Sequence, residues 1–162
     1  MQMTAAVAAF WDDFCRRCAG APRQAGDPNP GAFYEAFHFG DTEALAQELA
    51  ALVLAGIKRA TASAWWSYEA AGRRAPQAGD LSVVTDWHGQ PLCVIRSTRV
   101  DRMPFDAVPA EFAAAEGEGD GSLAWWRQAH TLYFTRECAR LGRAFAPDMP
   151  VCCERFEVVH RR

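Results

Sequence analysis

LSVVTDWHGQPLCVIRSTRV, Leu81 to Val100, is the stretch that decides the fold class. It contains two runs rich in β-branched residues, LSVVTD and LCVIRSTRV, separated by WHGQ, which contains a glycine. Short runs of this kind on either side of a glycine-containing turn are typical of a β-hairpin. The sequence therefore predicts an antiparallel pair of strands in this region.

Two helices are predicted before the hairpin. Residues 4–19 carry apolar side chains at helical spacing, and GAPRQAGDPNPG then indicates a surface loop. The second helix is DTEALAQELAALVLAG, in which Asp41 or Thr42 can cap the start and Gly56 suits the left-handed position after the end. Residues 1–30 are thus predicted to form an N-terminal helix and a Gly/Pro-rich loop, and residues 31–162 the main domain.

The C-terminal half alternates helices and a strand. VPAEFAAAE predicts a short helix, GEGDG a loop, SLAWWRQAHTLYFTRECARLG a longer helix capped by Asp120 or Ser122, and VCCERFEVVH a last strand. A few strands among several helices indicate an α+β domain, and so few strands must curl to bury one face. We therefore expect a small β-barrel with flanking helices.

Composition narrows the class of partner. The 162-residue chain is half hydrophobic and carries a net charge of −3, with a pI near 5.8. Proteins that hold long duplexes through phosphates need a broad cationic surface, so duplex DNA is excluded as the expected partner. A nucleic-acid partner should be single-stranded RNA, a nucleoside or a nucleotide.

The N-terminus and the lack of a long apolar run predict a cytoplasmic protein. MQMTAAVAAFWDDF has no basic segment before an apolar core, and no apolar run approaches the ~18 residues that span a membrane. The six cysteines are therefore expected to be thiols. Cys152 and Cys153 are neighbours in a predicted strand, so one should face the core and the other should lie near the surface.

Lys58, in GIKRATASAWW, is the only lysine among 17 lysines and arginines. Arginine keeps its proton in proteins, whereas a desolvated lysine can lose it and act as a base or a nucleophile. Thr61 follows by three residues and can share a side with Lys58 only if the chain is still turned there, which Gly56 permits. A stray surface lysine is the alternative interpretation.

The loop EGEGDG places Glu116, Glu118 and Asp120 at alternate positions among glycines. Such a loop is a solvated turn, a set of ligands for a divalent cation, or the carrier of a general acid. It lacks the spacing of an EF-hand. A divalent metal is compatible with this loop, but no cofactor is required by the sequence.

Aromatic side chains flank both segments. Trp65 and Trp66 follow the lysine, and Trp126 and His130 lie on the predicted long helix after Trp125. Adjacent tryptophans on a helix point about 100° apart, so each pair should offer one ring to the core and keep the other nearer the surface, where it can stack on a base. His130 is either a buried structural histidine or a proton shuttle.

Four motifs follow one another in the order HFGD, LAALVLAGIKRAT, QAGDLSVV and EGEGDGSLAWWRQAH. Together they resemble the ASCH superfamily, in particular its longer YhfF-like branch, over about residues 35–160. The resemblance implies a PUA-like barrel that binds RNA or modified nucleosides. Lys58 resembles the family's catalytic lysine, Thr61 its nucleophile and Glu118 its acid, with Glu116 as the alternative. At Ser63 the shorter amidohydrolase members often carry arginine instead.

The family contains amidohydrolases acting on N4-acylated cytidine and members assigned ribonuclease activity, so the resemblance implies a small hydrolase. A neutral Lys58 would be the base for Thr61 in amide hydrolysis, whereas a charged Lys58 would stabilise the phosphorane in RNA cleavage while Glu118 or His130 moved the proton. The alternative class is a non-catalytic RNA-binding module, in which Arg59 and other arginines form a basic face. The remaining residues expected to contact the substrate are Ser63, Trp65, Trp66, Glu116, Trp126 and His130.

Overall fold

A computed structural model describes residues 3–20 and 33–162, so most of the predicted Gly/Pro-rich loop lies outside the described residues. The helices are α1 Ala5–Gly20, α2 Glu43–Leu54, α3 Trp65–Ala70, α4 Ala110–Glu116 and α5 Leu123–Arg140. The strands are β1 Phe33–Phe37, β2 Ala60–Ala64, β3 Leu81–Thr85, β4 Pro91–Pro104 and β5 Pro150–Arg161. Every helix and strand predicted above is present, and β1, β2 and α3 are additional.

The strands are hydrogen-bonded in the order β1-β3-β4-β5-β2. β1 pairs in parallel with β3, whereas β3 with β4 and β2 with β5 are antiparallel. The predicted α+β class is confirmed, and the predicted hairpin is the β3–β4 pair. Among the described strands the sheet is mixed and runs from β1 to β2 without closing.

The chain divides into two compact units, of which the first consists of Met1–Gly56, Gln77–Thr98 and Phe156–Arg162. Both faces of β3 are buried in this unit, including the hydroxyl side chains of Ser82 and Thr85. One face packs on the apolar stripe of α1, and the other on that of α2. The residues involved are Val7, Trp11, Phe14, Leu81, Val83 and Val94 for α1, and Leu49, Val53, Val84, Cys93 and Ile95 for α2.

The second unit consists of Ile57–Pro76 and Arg99–Arg155, and it has a core of its own. Helices α4 and α5 pack on the pair formed by β2 and β5, and the small side chains of Ala60 and Ala64 are buried there. Large side chains of the helices and the adjoining chain fill the remaining space, including Phe105, Phe112, Trp126, Phe134 and Met149. The indole of Trp126 is therefore part of the core.

Cys152 and Cys153 correct one expectation. All six cysteines are thiols, as predicted, but both members of this pair are buried. Cys153 belongs to the core, and Cys152 lies opposite Ser63 of β2 on the other face. Tyr68 covers that face, because its hydroxyl donates to Oγ of Ser63. Burial raises the pKa of both thiols to about 12.

In the described part of the chain, no helix is both long enough and apolar enough to cross a membrane.

Candidate active site

The segment that carries Lys58 is fixed by backbone contacts. Gly56, just after α2, has a φ of 74°, the left-handed conformation predicted for it. Three residues later the N–H of Arg59 donates to the carbonyl of Ala115 at 2.8 Å, near the C-terminal end of α4. This hydrogen bond brings the lysine next to the acidic loop, although the two segments are about 60 residues apart in sequence.

Lys58 is bound by both glutamates of that loop. Its Nζ donates to Oε2 of Glu116 at 2.7 Å and to Oε1 of Glu118 at 2.5 Å. The side chains of Lys58 and Glu116 are each 1% exposed, whereas that of Glu118 is 12% exposed. Glu118 is therefore the most exposed member of this trio.

Helix α5 supports Glu116 from the other side. Nε1 of Trp126 donates to Oε1 of Glu116 at 2.9 Å, and Nε2 of His130 lies 3.5 Å from the same oxygen. Nδ1 of His130 lies 3.0 Å from the carbonyl of Trp126, which can only accept, so this nitrogen carries a proton. The two rings also stack, with centroids 4.1 Å apart. Both oxygens of Glu116 thus have partners.

The three ionisable groups of the trio differ in charge. Burial by itself would lower the pKa of Lys58, but the two carboxylates raise it above the ordinary value for lysine. Burial would raise the pKa of Glu116, but the charge of Lys58 and the contact with His130 hold it well below its usual range. Lys58 and Glu116 are consequently an ammonium and a carboxylate at neutral pH.

Glu118 behaves differently from Glu116. Burial raises the pKa of Glu118, and the negative charge of Glu116 adds to this effect, against the opposing charge of Lys58. A carboxyl group with a raised pKa exchanges protons closer to neutral pH than an ordinary glutamate does. Because Oε1 accepts from Lys58, Oε2 is the oxygen that can carry a transferable proton.

The same residues offer ligands for a metal. Glu116, Glu118 and His130 each offer one ligand atom, and these three atoms lie within 4.8 Å of one another. A common set of metal ligands consists of two carboxylates and one imidazole, with the other nitrogen of the imidazole donating to a backbone carbonyl. The ammonium of Lys58, however, already binds both carboxylates, so a divalent cation would meet a positive charge within the site.

Thr61 and Ser63 lie on β2, where alternate residues face opposite sides. Ala60, Ala62 and Ala64 face or adjoin the core, so the two hydroxyl side chains point to the other face. Thr61 is half-buried there, and Ser63 accepts the hydroxyl of Tyr68 at 3.0 Å. The role of Thr61 as nucleophile stays a prediction.

Trp65 and Trp66, which were predicted to stack on a base, contact arginine side chains in the structure. Trp65 and Trp66 are both half-buried, and of the two Trp66 packs against the core of the second unit, as expected for one ring of the pair. The guanidinium of Arg102 lies 4.5 Å from the ring centroid of Trp65, and that of Arg143 lies 4.5 Å from that of Trp66. The side chain of Arg59 is exposed. Their binding of substrate stays a prediction.

The other pair divides as predicted: Trp126 is buried and Trp125 is half-buried. The structure thus brings together Lys58, Glu116, Glu118, Trp126 and His130. Ile57 and Trp125 pack against the acidic loop. Nothing in the sequence indicated this contact for Ile57, and Trp125 was predicted only as one member of an aromatic pair.

Comparisons with known proteins bear on the family and the fold. A model of the ASCH domain family matches residues 35–160. The chain is similar to the crystal structure of an ASCH domain from Lactobacillus crispatus JV V101, with 36% identity, a TM-score of 0.85, and coverage of 99% of this chain and 98% of that chain. A crystal structure of a protein from Enterococcus faecalis V583 has 32% identity and a TM-score of 0.82, with coverage of 96% and 89%.

No curated protein matches the sequence. The family match nevertheless covers most of the chain, and the likeness to a solved ASCH domain extends over nearly all of it, in agreement with the predicted PUA-like fold class. The chain therefore belongs to the ASCH domain family.

Proposed function

We propose that this protein is a hydrolase that removes an acyl group from a modified nucleoside, with Lys58 as the electrostatic stabiliser and Glu118 as the proton carrier. The observation that carries the proposal is one buried ammonium shared by two carboxylates, of which one is ionised and the other has a raised pKa. Burying such groups costs free energy, and strongly shifted pKa values are concentrated at functional sites.

The charge of Lys58 favours one of the two roles predicted for it. A general base must be neutral, but the two carboxylates raise the pKa of Lys58 and keep it protonated. A fixed positive charge in a shielded site stabilises the oxyanion that forms when a carbonyl is attacked. Lys58 therefore acts on the developing negative charge, and another group must take the proton of the nucleophile.

Glu118 is that group in the proposed reaction. Its ionised form takes the proton of the attacking hydroxyl, a C–O bond forms, and the carbonyl oxygen becomes an oxyanion beside Lys58. When the C–N bond breaks, Glu118 returns the same proton to the departing amine. Thr61 stays the candidate nucleophile; in that case water then cleaves the acyl-threonine ester, the carboxylic acid leaves, and Glu118 passes the proton of that water to the oxygen of Thr61. Direct attack by water is the alternative, and Thr61→Val distinguishes them because valine keeps the shape and removes the hydroxyl.

The charge of the site favours an acyl group over a phosphodiester. Glu116 and Lys58 cancel, and Glu118 is neutral or negative, so the trio carries no net positive charge for a phosphorane. A neutral nucleoside carrying an acyl amide suits these groups better.

The test is to incubate the protein with N4-acetylcytidine and, separately, with a short single-stranded RNA, and to separate the products by chromatography. We expect deacylation, and we expect Glu118→Gln to lower kcat about 10²- to 10⁴-fold. Glu111→Gln is the matched control, because Glu111 lies on α4 but its side chain is 75% exposed and pairs with Arg155.

The possible outcomes separate the hypotheses. Cleavage of RNA without deacylation would replace the acyl substrate with a phosphodiester. Binding of either molecule without turnover would support the non-catalytic alternative. Equal activity of the Glu118→Gln and Glu111→Gln proteins would show that Glu118 is not the proton carrier.

A further inference from the structure

The first turn of α5 carries two adjacent tryptophans, and they contact neighbouring parts of the acidic loop. Ser122 caps the helix, and its Oγ accepts the N–H of Trp125 at 3.1 Å. Trp126 points inward and donates to Glu116. Successive helical side chains are about 100° apart, so Trp125 is directed away from the core.

Trp125 lies against the backbone of Gly119, the residue after Glu118. A β-carbon placed on Gly119 would lie only 2.6 Å from Nε1 of Trp125 and would overlap the indole ring. Gly119 also has a φ of 57°, which side chains other than glycine rarely adopt. Both the backbone conformation and the close approach of the ring therefore require glycine here.

The residue before Glu118 is held in the same way. Gly117 has a φ of 65° and ends α4, and a β-carbon on it would lie 2.8 Å from Cγ2 and from the carbonyl oxygen of Ile57. The N–H of Gly121 donates to the carbonyl of Glu118 at 2.9 Å and closes the turn. Glu118 thus stands between two glycines that are each packed against a large side chain.

We propose that Trp125 is a positioning residue, which holds the backbone of Glu118 through Gly119 so that the carboxyl group stays on Lys58 and largely shielded from water. The consequence for function rests on the proposed role of Glu118 as proton carrier. The adjacent tryptophans then have separate roles, because Trp126 orients Glu116 through a hydrogen bond and Trp125 orients Glu118 through packing.

The chain offers a matched pair of variants to test this. Gly119→Ala brings a methyl group into the Trp125 ring at a positive φ. Gly121→Ala brings the same methyl group to a residue of the same loop, with a φ of 74° but nothing within 4 Å of the added carbon. Both variants strain the backbone, and only the first disturbs the contact with Trp125.

The primary measurement is the titration of the Glu118 carboxyl by carbon NMR, assigned by its absence in Glu118→Gln. It requires no substrate, so it remains decisive even if the proposed reaction is wrong. In Gly119→Ala, and in Trp125→Ala, we expect the pKa of Glu118 to fall toward that of an ordinary glutamate, because the carboxyl group becomes more exposed. In Gly121→Ala we expect it to stay where it is in the unaltered protein.

A double variant separates positioning from general damage to the loop. In the Trp125→Ala background the added methyl group of Gly119→Ala meets no ring, so its further effect on the Glu118 titration should shrink to that of Gly121→Ala.

If the proposed hydrolase activity holds, kcat should fall about tenfold or more in Gly119→Ala, with KM changed less than about twofold. Circular dichroism checks that each variant is folded.

Two results would overturn the proposal. One is a Glu118 titration that is the same in Gly119→Ala, Trp125→Ala and the unaltered protein. The other is an equal displacement of that titration in Gly119→Ala and Gly121→Ala, which would mean that the loop responds to strain and not to Trp125. Trp125→Phe, which keeps a smaller ring, should give an intermediate displacement.

Discussion

Two ion pairs of this molecule join residues at almost the same separation in sequence, 58 residues for Lys58–Glu116 and 61 residues for Arg96–Glu157. The first is 1% exposed on both sides, whereas the second is 26% exposed at Arg96 and 47% at Glu157. Water screens the exposed pair, so breaking it costs little free energy. Burial makes the first pair costly to break and contributes to the shifted pKa values of Lys58, Glu116 and Glu118.

The largest expected effect comes from removing one partner of the buried pair. Glu116→Gln leaves Lys58 without its ionised partner, and breaking a buried pair in this way costs about 3–5 kcal/mol. Glu157→Gln should cost about 0–1 kcal/mol, because the pair is exposed. Urea unfolding of both variants measures the difference. Similar losses in the two variants would show that burial is not what distinguishes the pairs.

The charge of Lys58 can be separated from its ability to lose a proton. Lys58→Met should lower kcat about 10²- to 10³-fold, since it removes the stabilising charge. Lys58→Arg keeps a charge that cannot be lost and should retain more activity than Lys58→Met. Comparing kcat of the two variants, after confirming that both are folded, decides the role. An arginine variant as inactive as the methionine variant would favour the general base.

The pH dependence of kcat/KM reports on Glu118. The proposed reaction begins with ionised Glu118, so kcat/KM should rise with pH through the raised pKa of this group. This rise should lie above the ordinary glutamate value of 4.5, and activity should fall again only when Lys58 loses its proton above 10.5. A rise at or below the ordinary value would contradict the shielded position of Glu118.

The smallest expected effect is that of a chelator. Lys58 supplies the positive charge between Glu116 and Glu118, so EDTA should leave kcat unchanged, and added Mn²⁺ or Zn²⁺ should not raise it. Activity assays in treated and metal-supplemented buffer measure this. Loss of activity with EDTA and recovery with a metal would indicate that Glu116, Glu118 and His130 bind a cation after all.

Most of the fold could be predicted from local patterns. The hairpin and the long helices have clear periodicity and caps, so β3, β4, α1, α2 and α5 followed from the sequence. β1, β2 and α3 did not, because FYEAF, ATASA and WWSYEA are only five or six residues long and are defined by pairing and packing. The parallel pairing of β1 with β3 is likewise a long-range contact that no local pattern contains.

The site could be predicted in its members but not in its arrangement. The single lysine and the glutamates of EGEGDG were recognisable, yet no spacing rule says that both glutamates bind one ammonium. The charge state of Lys58 followed only from its contacts with the two carboxylates, since a buried Lys58 without them would have stayed a candidate base. The contacts of Arg102 with Trp65 and of Arg143 with Trp66 join residues that are distant in sequence, so no local pattern predicts them.

The burial of Lys58 has a practical consequence for labelling. The chain has one lysine, and in the folded protein that side chain is 1% exposed, so an amine-acylating reagent reaches no side-chain amine. The same amine becomes available when Ile57–Pro76 and the acidic loop separate. The rate of Lys58 acylation, measured by mass spectrometry, would therefore report how often this region opens, without any introduced probe.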